Sequence, residues 1–249
     1  MSDAMRAETI LISGDGGAEL EAYFAEPVRE APYGGVVVIH HMPGYDEATK
    51  EITRRFADHG YLAICPNLYS RDGIGRDPAE AAAAVRERGG VPDDQVVGDI
   101  DGAVRHLRSL GVSNGKVGTI GYCSGGRQSL LAACRLALDA AVDCYGGFVV
   151  AEPPEGLPLR TRPIVHLVGG LSCPLLGLFG AEDQHPSPDE TAALGRALEA
   201  AGKTFELHTF EGAGHAFFAT DRTLYRPEAA NAAWPVVWEF VGRTLATQV

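Results

Sequence analysis

The sequence predicts an α/β protein with a mostly parallel central sheet and helices on both faces. Three observations lead there. Short apolar runs of strand length alternate with longer amphipathic runs of helical period. The apolar runs, such as Val36–Ile39 within Gly35–His40 ("GVVVIH"), are hydrophobic at consecutive positions instead of every second one, as in strands covered on both faces. The connections are short, and strand, helix, strand, helix in that order means a mostly parallel sheet covered on both faces.

Taken in order, Gly35–His40 reads as a buried strand and Lys50–His59 as the helix after it. In that helix Ile52, Phe56 and Ala57 face inward, while Glu51, Arg54, Arg55 and Asp58 face out. Leu62–Cys65 is the next strand, stopped by Pro66. Pro78–Arg88 is an Ala-rich helix, and Asp93–Leu110 a longer one with Val96, Val97, Ile100, Val104 and Leu107 at helical spacing. Val117–Tyr122 is a strand that runs into a Gly-rich corner. Ser124–Leu138 is a helix, Ala140–Tyr145 a strand, Pro174–Phe179 a strand, Pro188–Ala201 a helix and Thr204–Phe210 a strand. Pro227–Leu245 closes the chain as a helix, with Pro235 predicting a kink or a late start. The Pro- and Gly-rich stretch 146–170 reads as a surface excursion or cap edge. No repeat, linker or low-complexity segment interrupts the pattern, so residues 1–249 are expected to form a single domain.

Composition narrows the function classes. Of 249 residues 45% are hydrophobic and 22% charged, enough for a globular core. Asp and Glu total 33 against 21 Lys and Arg, and the net charge of −12 argues against nucleic acid or an anionic membrane as partner. An anionic substrate would need a local basic group to offset that field. No apolar run reaches the roughly 18 residues of a membrane span. The opening "MSDAMRAETI" lacks the charged-then-apolar pattern of a signal peptide, so a cytoplasmic location is expected. The five cysteines are odd in number and form no C-x-x-C pair, which argues against a disulfide framework or a zinc site. Cys65, Cys134, Cys144 and Cys173 read as small buried hydrophobes.

Cys123 is different. "TIGYCSGG" (119–126) places it at the apex of G-x-[nucleophile]-x-G, a strained strand-to-helix turn that needs small residues at Gly121 and Gly125. The helix beginning at Ser124 aims its N–H groups and positive dipole end at the sulfur, an environment that favours thiolate. Ser124 itself is one residue off the apex, with its side chain turned away. Downstream, "LLGLFGAEDQH" carries Asp183 just past a strand, and "TFEGAGHAFF" carries His215 just past the next. Nucleophile, acid, histidine is the chain order of a triad in which Asp183 orients His215 and His215 deprotonates Cys123. Glu182 neighbours the acid, but the turn after Gly180 more often aims position 183 inward. A corner cysteine or a loop histidine alone is commonly structural; the combination, each member at a strand's carboxyl end, points to nucleophilic catalysis. His40, His41, His185 and His215 do not suggest a metal site. His40 and His41 are adjacent on a strand and point to opposite faces, and no H-x-x-x-H or H-x-x-E-H occurs.

The segments "VVVIHHMPG", "RRFADHGYLAICPNLYSR", "GTIGYCSGG", "DCYGG", "LLGLFGAEDQH", "FEGAGHAFF" and "YRPEAANAAWPVVWEFVGRTL" together resemble the dienelactone hydrolase family, over roughly residues 20–245. The resemblance implies an α/β-hydrolase fold and a Cys123–His215–Asp183 triad acting on small esters or lactones through an acyl-cysteine, with no metal or cofactor. It also implies an oxyanion hole formed by the backbone N–H groups of Ser124 and Met42. A small-molecule substrate and a monomer or weak homodimer are expected. Two positions depart from the family. Its glutamate beside the resting cysteine is replaced by His41, which is expected to stabilise the thiolate as imidazolium or to bond substrate. Its carboxylate-binding arginine after the histidine is replaced by Ala219. Arg71, Arg86, Arg88, Arg127 and Arg222 are the candidate substitutes, and His41, Arg71, Tyr145 and Phe217 form the expected substrate-contacting set. The loops around Tyr45, Tyr69, Ser70, Tyr145, Phe148 and Phe217 are expected to set specificity. A broader carboxylesterase or thioesterase with the same triad, or a silent binding homologue, are the alternative functions.

Overall fold

A computed structural model describes residues 5–246; residues 1–4 and 247–249, included in the single-domain expectation and in the reading of the N-terminus, lie outside the described residues. Eight strands form one sheet in the order β1-β2-β4-β3-β5-β6-β7-β8. They are β1 (Met5–Ser13), β2 (Glu19–Pro27), β3 (Tyr33–Ile39), β4 (Leu62–Pro66), β5 (Ser113–Tyr122), β6 (Ala140–Cys144), β7 (Leu175–Gly180) and β8 (Phe205–Phe210). Strands β3 to β8 pair in parallel, and β1 and β2 add an antiparallel edge. That edge hairpin is absent from the sequence expectation. Four consecutive residues of β1, Arg6–Thr9, face solvent, so the strand carries no continuous apolar run to read.

Among the described residues six α-helices cover the sheet: α1 (Glu47–Asp58), α2 (Pro78–Glu87), α3 (Asp93–Ser109), α4 (Ser124–Arg135), α5 (Pro188–Ala200) and α6 (Pro227–Leu245). Strand β3 shows why both faces must be covered. Every one of its residues is buried, and Val37 and Ile39 enter a core shared with α2, α3, α4 and α5, while Val36 and Val38 enter one shared with α1 and α6. Alternation of side chains across the pleat sorts a single apolar run into two cores. Helix α1 is capped by the Asp46 carboxylate on the Thr49 N–H, and α5 by a reciprocal Ser187–Glu190 capping box. Helix α6 begins at Pro227 and continues past Pro235, so it does not start late. The carbonyl that loses its partner to Pro235 belongs to Asn231, which is exposed. Among the described residues no helix is long and apolar enough to cross a membrane.

Candidate active site

The parallel strands all end on one side of the sheet, and the residues just past those ends converge there. Cys123 stands between β5 and α4 with φ 56° and ψ −120°, a conformation an L-residue holds only when its surroundings enforce it. A Cβ on Gly121 would overlap the Gly125 carbonyl, and one on Gly125 would overlap the Ile39 carbonyl, so both glycines are required by the close approach of strand and helix. His215 follows β8, and Asp183 follows β7. The His215 Nδ1–H donates to Asp183 Oδ2 at 2.8 Å, while Asp183 Oδ1 accepts the His185 N–H at 2.9 Å. The acid is thus buried, doubly bonded and fixed in orientation; the neighbouring Glu182 does not bond the imidazole.

Electrostatics complete the arrangement. Burial acts to raise the Cys123 thiol, but the bond and charge of His215, with the N–H groups of Ser124 and Met42, bring it below its ordinary value. Burial acts to lower His215, yet Asp183 and Cys123 push it up to about 10. The two shifts act in the same sense: each favours the charged form of its group, thiolate on Cys123 and imidazolium on His215. The other thiols behave in the opposite way. Burial raises Cys65 and Cys144, lifts Cys173 to about 12 and lifts the half-buried Cys134 to about 11.

A cavity of about 480 Å³ opens over this group. Cys123, Ser124, Met42 and His215 line one part of it, and Tyr69, Arg86, Phe148, Leu159 and Thr161 also contribute to its walls. Leu159 and Thr161 come from the irregular stretch 146–170, where no hydrophobic period in the sequence marks a lining residue.

The expected substrate-contacting set divides. Arg71 lies away from this cavity. Its Nη1 and Nη2 donate to Asp99 at 2.6 and 2.9 Å, because the Asp99 side chain is fully buried and a buried carboxylate needs a cation. His41 also turns away from the thiol, donating from Nε2 to Asp46 at 2.6 Å on the wall of a separate cavity of about 50 Å³. It neither charges the thiolate nor faces the main cavity. Tyr145 is buried behind His215, the two rings meeting edge-on with centroids 5.2 Å apart, and it packs against the imidazole without lining the cavity. Phe217 is fully buried and stacks on Phe218 at 4.8 Å, a core residue one layer deeper. Of the other candidate arginines, Arg88 pairs with Asp72 and Arg222 lies 4.0 Å from Asp46. Arg127 lines the cavity but is bidentate to Asp93 at 2.8 Å. Arg86 lines the cavity, and no carboxylate lies within ion-pair distance of it among the described residues.

The chain is similar to known proteins in sequence and in fold. The model of the dienelactone hydrolase family matches residues 20–245. A Yersinia pestis protein named "Putative carboxymethylenebutenolidase" is 36% identical over 221 residues, covering 88% of this chain and 81% of that protein. The carboxymethylenebutenolidase of Pseudomonas putida is 30% identical over 234 residues, covering 92% of this chain and 93% of its own. The solved structure described as "Putative Dienelactone Hydrolase from Klebsiella pneumoniae" matches with a TM-score of 0.83 at 30% identity, over 97% of this chain and 100% of that one.

Proposed function

The chain belongs to the dienelactone hydrolase family, and we propose that it hydrolyses small activated esters or lactones of the carboxymethylenebutenolide type through an acyl-cysteine on Cys123. The observation that carries this reading is the thiol below its ordinary value, facing His215 at the floor of the 480 Å³ cavity. Cys123 thiolate attacks the substrate carbonyl, and the oxyanion that forms is held by the N–H groups of Ser124 and Met42. Each such donor is typically worth about 3 kcal/mol of barrier. Collapse of the adduct breaks the ester C–O bond, and His215 gives its proton to the departing oxygen. His215 then takes a proton from water, whose oxygen attacks the thioester. The acid leaves, and the thiolate and imidazolium are restored.

A thiolate is itself a good leaving group, so an adduct with a poor alkoxide reverts to substrate. An enolate, the better leaving group, lets the adduct go forward. Cysteine at this corner therefore suits enol lactones and other activated esters. Arg86, without a carboxylate partner, is the group that would meet a substrate carboxylate within a chain of net charge −12. His215 and the N–H groups of Ser124 and Met42 lower the thiol, so in this reading the protein's own groups favour the thiolate before substrate arrives.

The cavity volume favours a second reading, a broader carboxylesterase, because 480 Å³ lies in the range of about 300–1,000 Å³ that accepts drug-sized ligands. One panel separates the two: enol lactones with and without a carboxylate, and alkyl esters, assayed with Cys123→Ala as control. The lactonase reading expects the highest kcat/KM on the enol lactones and none in the variant. Equal rates on alkyl esters and enol lactones would remove the stated reason for a cysteine.

A further inference from the structure

The Met42 N–H belongs to the peptide unit that joins His41 to Met42. The direction of that N–H is set by whatever holds the carbonyl at the other end of the unit, His41 O. Two donors do so. The Gly44 N–H closes a turn onto it at 2.9 Å, and the His40 Nδ1–H donates to it at 2.9 Å. We propose that His40, which takes no part in the triad, is a positioning residue of the oxyanion hole, aiming the Met42 N–H by bonding the carbonyl of the same peptide unit.

His40 has a second bond that makes the first one obligatory. Its Nε2 accepts the Leu68 N–H at 3.2 Å. A backbone N–H can only donate, so Nε2 must be bare and the single proton of the ring must sit on Nδ1, pointed at His41 O. A neutral imidazole in this one tautomer satisfies both ends, and no cationic side chain does. The ring is 1% exposed, and its burial lowers it to about 4, so it stays neutral at physiological pH. Leu68 lies just past β4, so the imidazole staples the loop after β3, which carries the oxyanion donor, to the loop after its neighbour strand.

Tyr69 extends the same support. Its ring meets His40 edge-on with centroids 4.7 Å apart, and its hydroxyl donates to Met42 O at 2.9 Å. The peptide units on both sides of the Met42 Cα therefore each have their carbonyl fixed. Hydrogen bonds accepted by a carbonyl also polarise its peptide unit, which strengthens the N–H it presents to the substrate oxygen.

This role rests on the proposed triad, and the test separates the two. The Met42 N–H also stabilises the Cys123 thiolate, so the pH profile of Cys123 alkylation by iodoacetamide reports its placement without any substrate. His40→Phe keeps a ring and removes both nitrogens. His40→Asn keeps an N–H near the position of Nδ1. For folded His40→Phe, the expected result is a kcat on an enol lactone roughly 10- to 100-fold lower, less than the roughly 100- to 1,000-fold loss when an oxyanion donor is removed outright, because the Met42 N–H is misaimed and not lost. KM should stay within about threefold, and the alkylation profile should move to higher pH. His40→Asn should recover both readouts.

If His40→Phe does not fold, His40→Asn against His40→Gln decides: the first retains the profile and kcat, the second loses them. A wild-type profile and kcat in folded His40→Phe overturn the proposal, as does an Asn variant no better than the Phe or Gln one. If wild-type Cys123 reacts no faster at pH 6 than the other four thiols, the triad itself fails and this role falls with it.

Discussion

Arg71 offers a sharp test of the division between catalytic and structural arginines. Arg71→Met keeps most of the side-chain volume and removes the guanidinium from Asp99, whose side chain is 0% exposed and is otherwise met by the Asp15 N–H at 2.9 Å. Removing one partner of a buried pair costs roughly 3–5 kcal/mol, because the remaining charge is left without compensation. The Arg71 side chain is 29% exposed, so water reaches part of the vacated space, and the expectation sits at the low end, about 3 kcal/mol. For a chain of this size each kcal/mol moves Tm by about 2–4 °C, which gives a drop of about 6–12 °C. Urea unfolding and thermal melts measure it directly. Asp99→Asn added to Arg71→Met should restore much of the loss, since the buried group is then neutral. Throughout, kcat/KM on an enol lactone should stay within about twofold of wild type, the margin of a substitution that touches neither substrate nor triad. An unchanged melt combined with a raised KM would refute the reasoning and return Arg71 to the substrate.

Two further outcomes are expected. Asp183→Asn should lower kcat by about 10⁴ while leaving the fold intact, because the amide no longer enforces the His215 tautomer; single-turnover kinetics check it. His40 bears on acid stability. Its folded value of about 4 lies below its ordinary 6.5, so the unfolded chain binds the extra proton first, and wild type loses stability as pH falls from about 6.5 to about 4. The full effect is about 3 kcal/mol. Burial raises Asp143 to about 7, which acts in the opposite sense over the same window. The readout is therefore the difference between wild type and His40→Gln in urea unfolding, which should shift in favour of the variant as pH drops.

How much of this was legible beforehand follows from how far each feature reaches along the chain. The elbow is local: Gly121, Cys123 and Gly125 lie within five residues, and the overlap that demands the glycines is between near neighbours. Asp183 and His215 are far apart in sequence, but each sits directly after an apolar strand, and a parallel sheet brings all such positions to one edge. Fold class and the meeting of the three side chains were readable for that reason, whereas the edge hairpin β1–β2, polar along much of β1, left no apolar run to find.

The sequence by itself determined the alternation of strands and helices, the bend that carries the thiol, and the strand ends that bring acid and base to it. Tertiary structure alone decided the fate of the arginines and of the paired histidines. Arg71 meets Asp99 across 28 positions, and His40 meets the Leu68 amide across 28 more. Ion pairs and hydrogen bonds of this kind depend on which groups the folded core leaves buried without a partner. That is a property of the packed molecule, since local periodicity registers only whether a residue faces in or out, and says nothing of what it finds there.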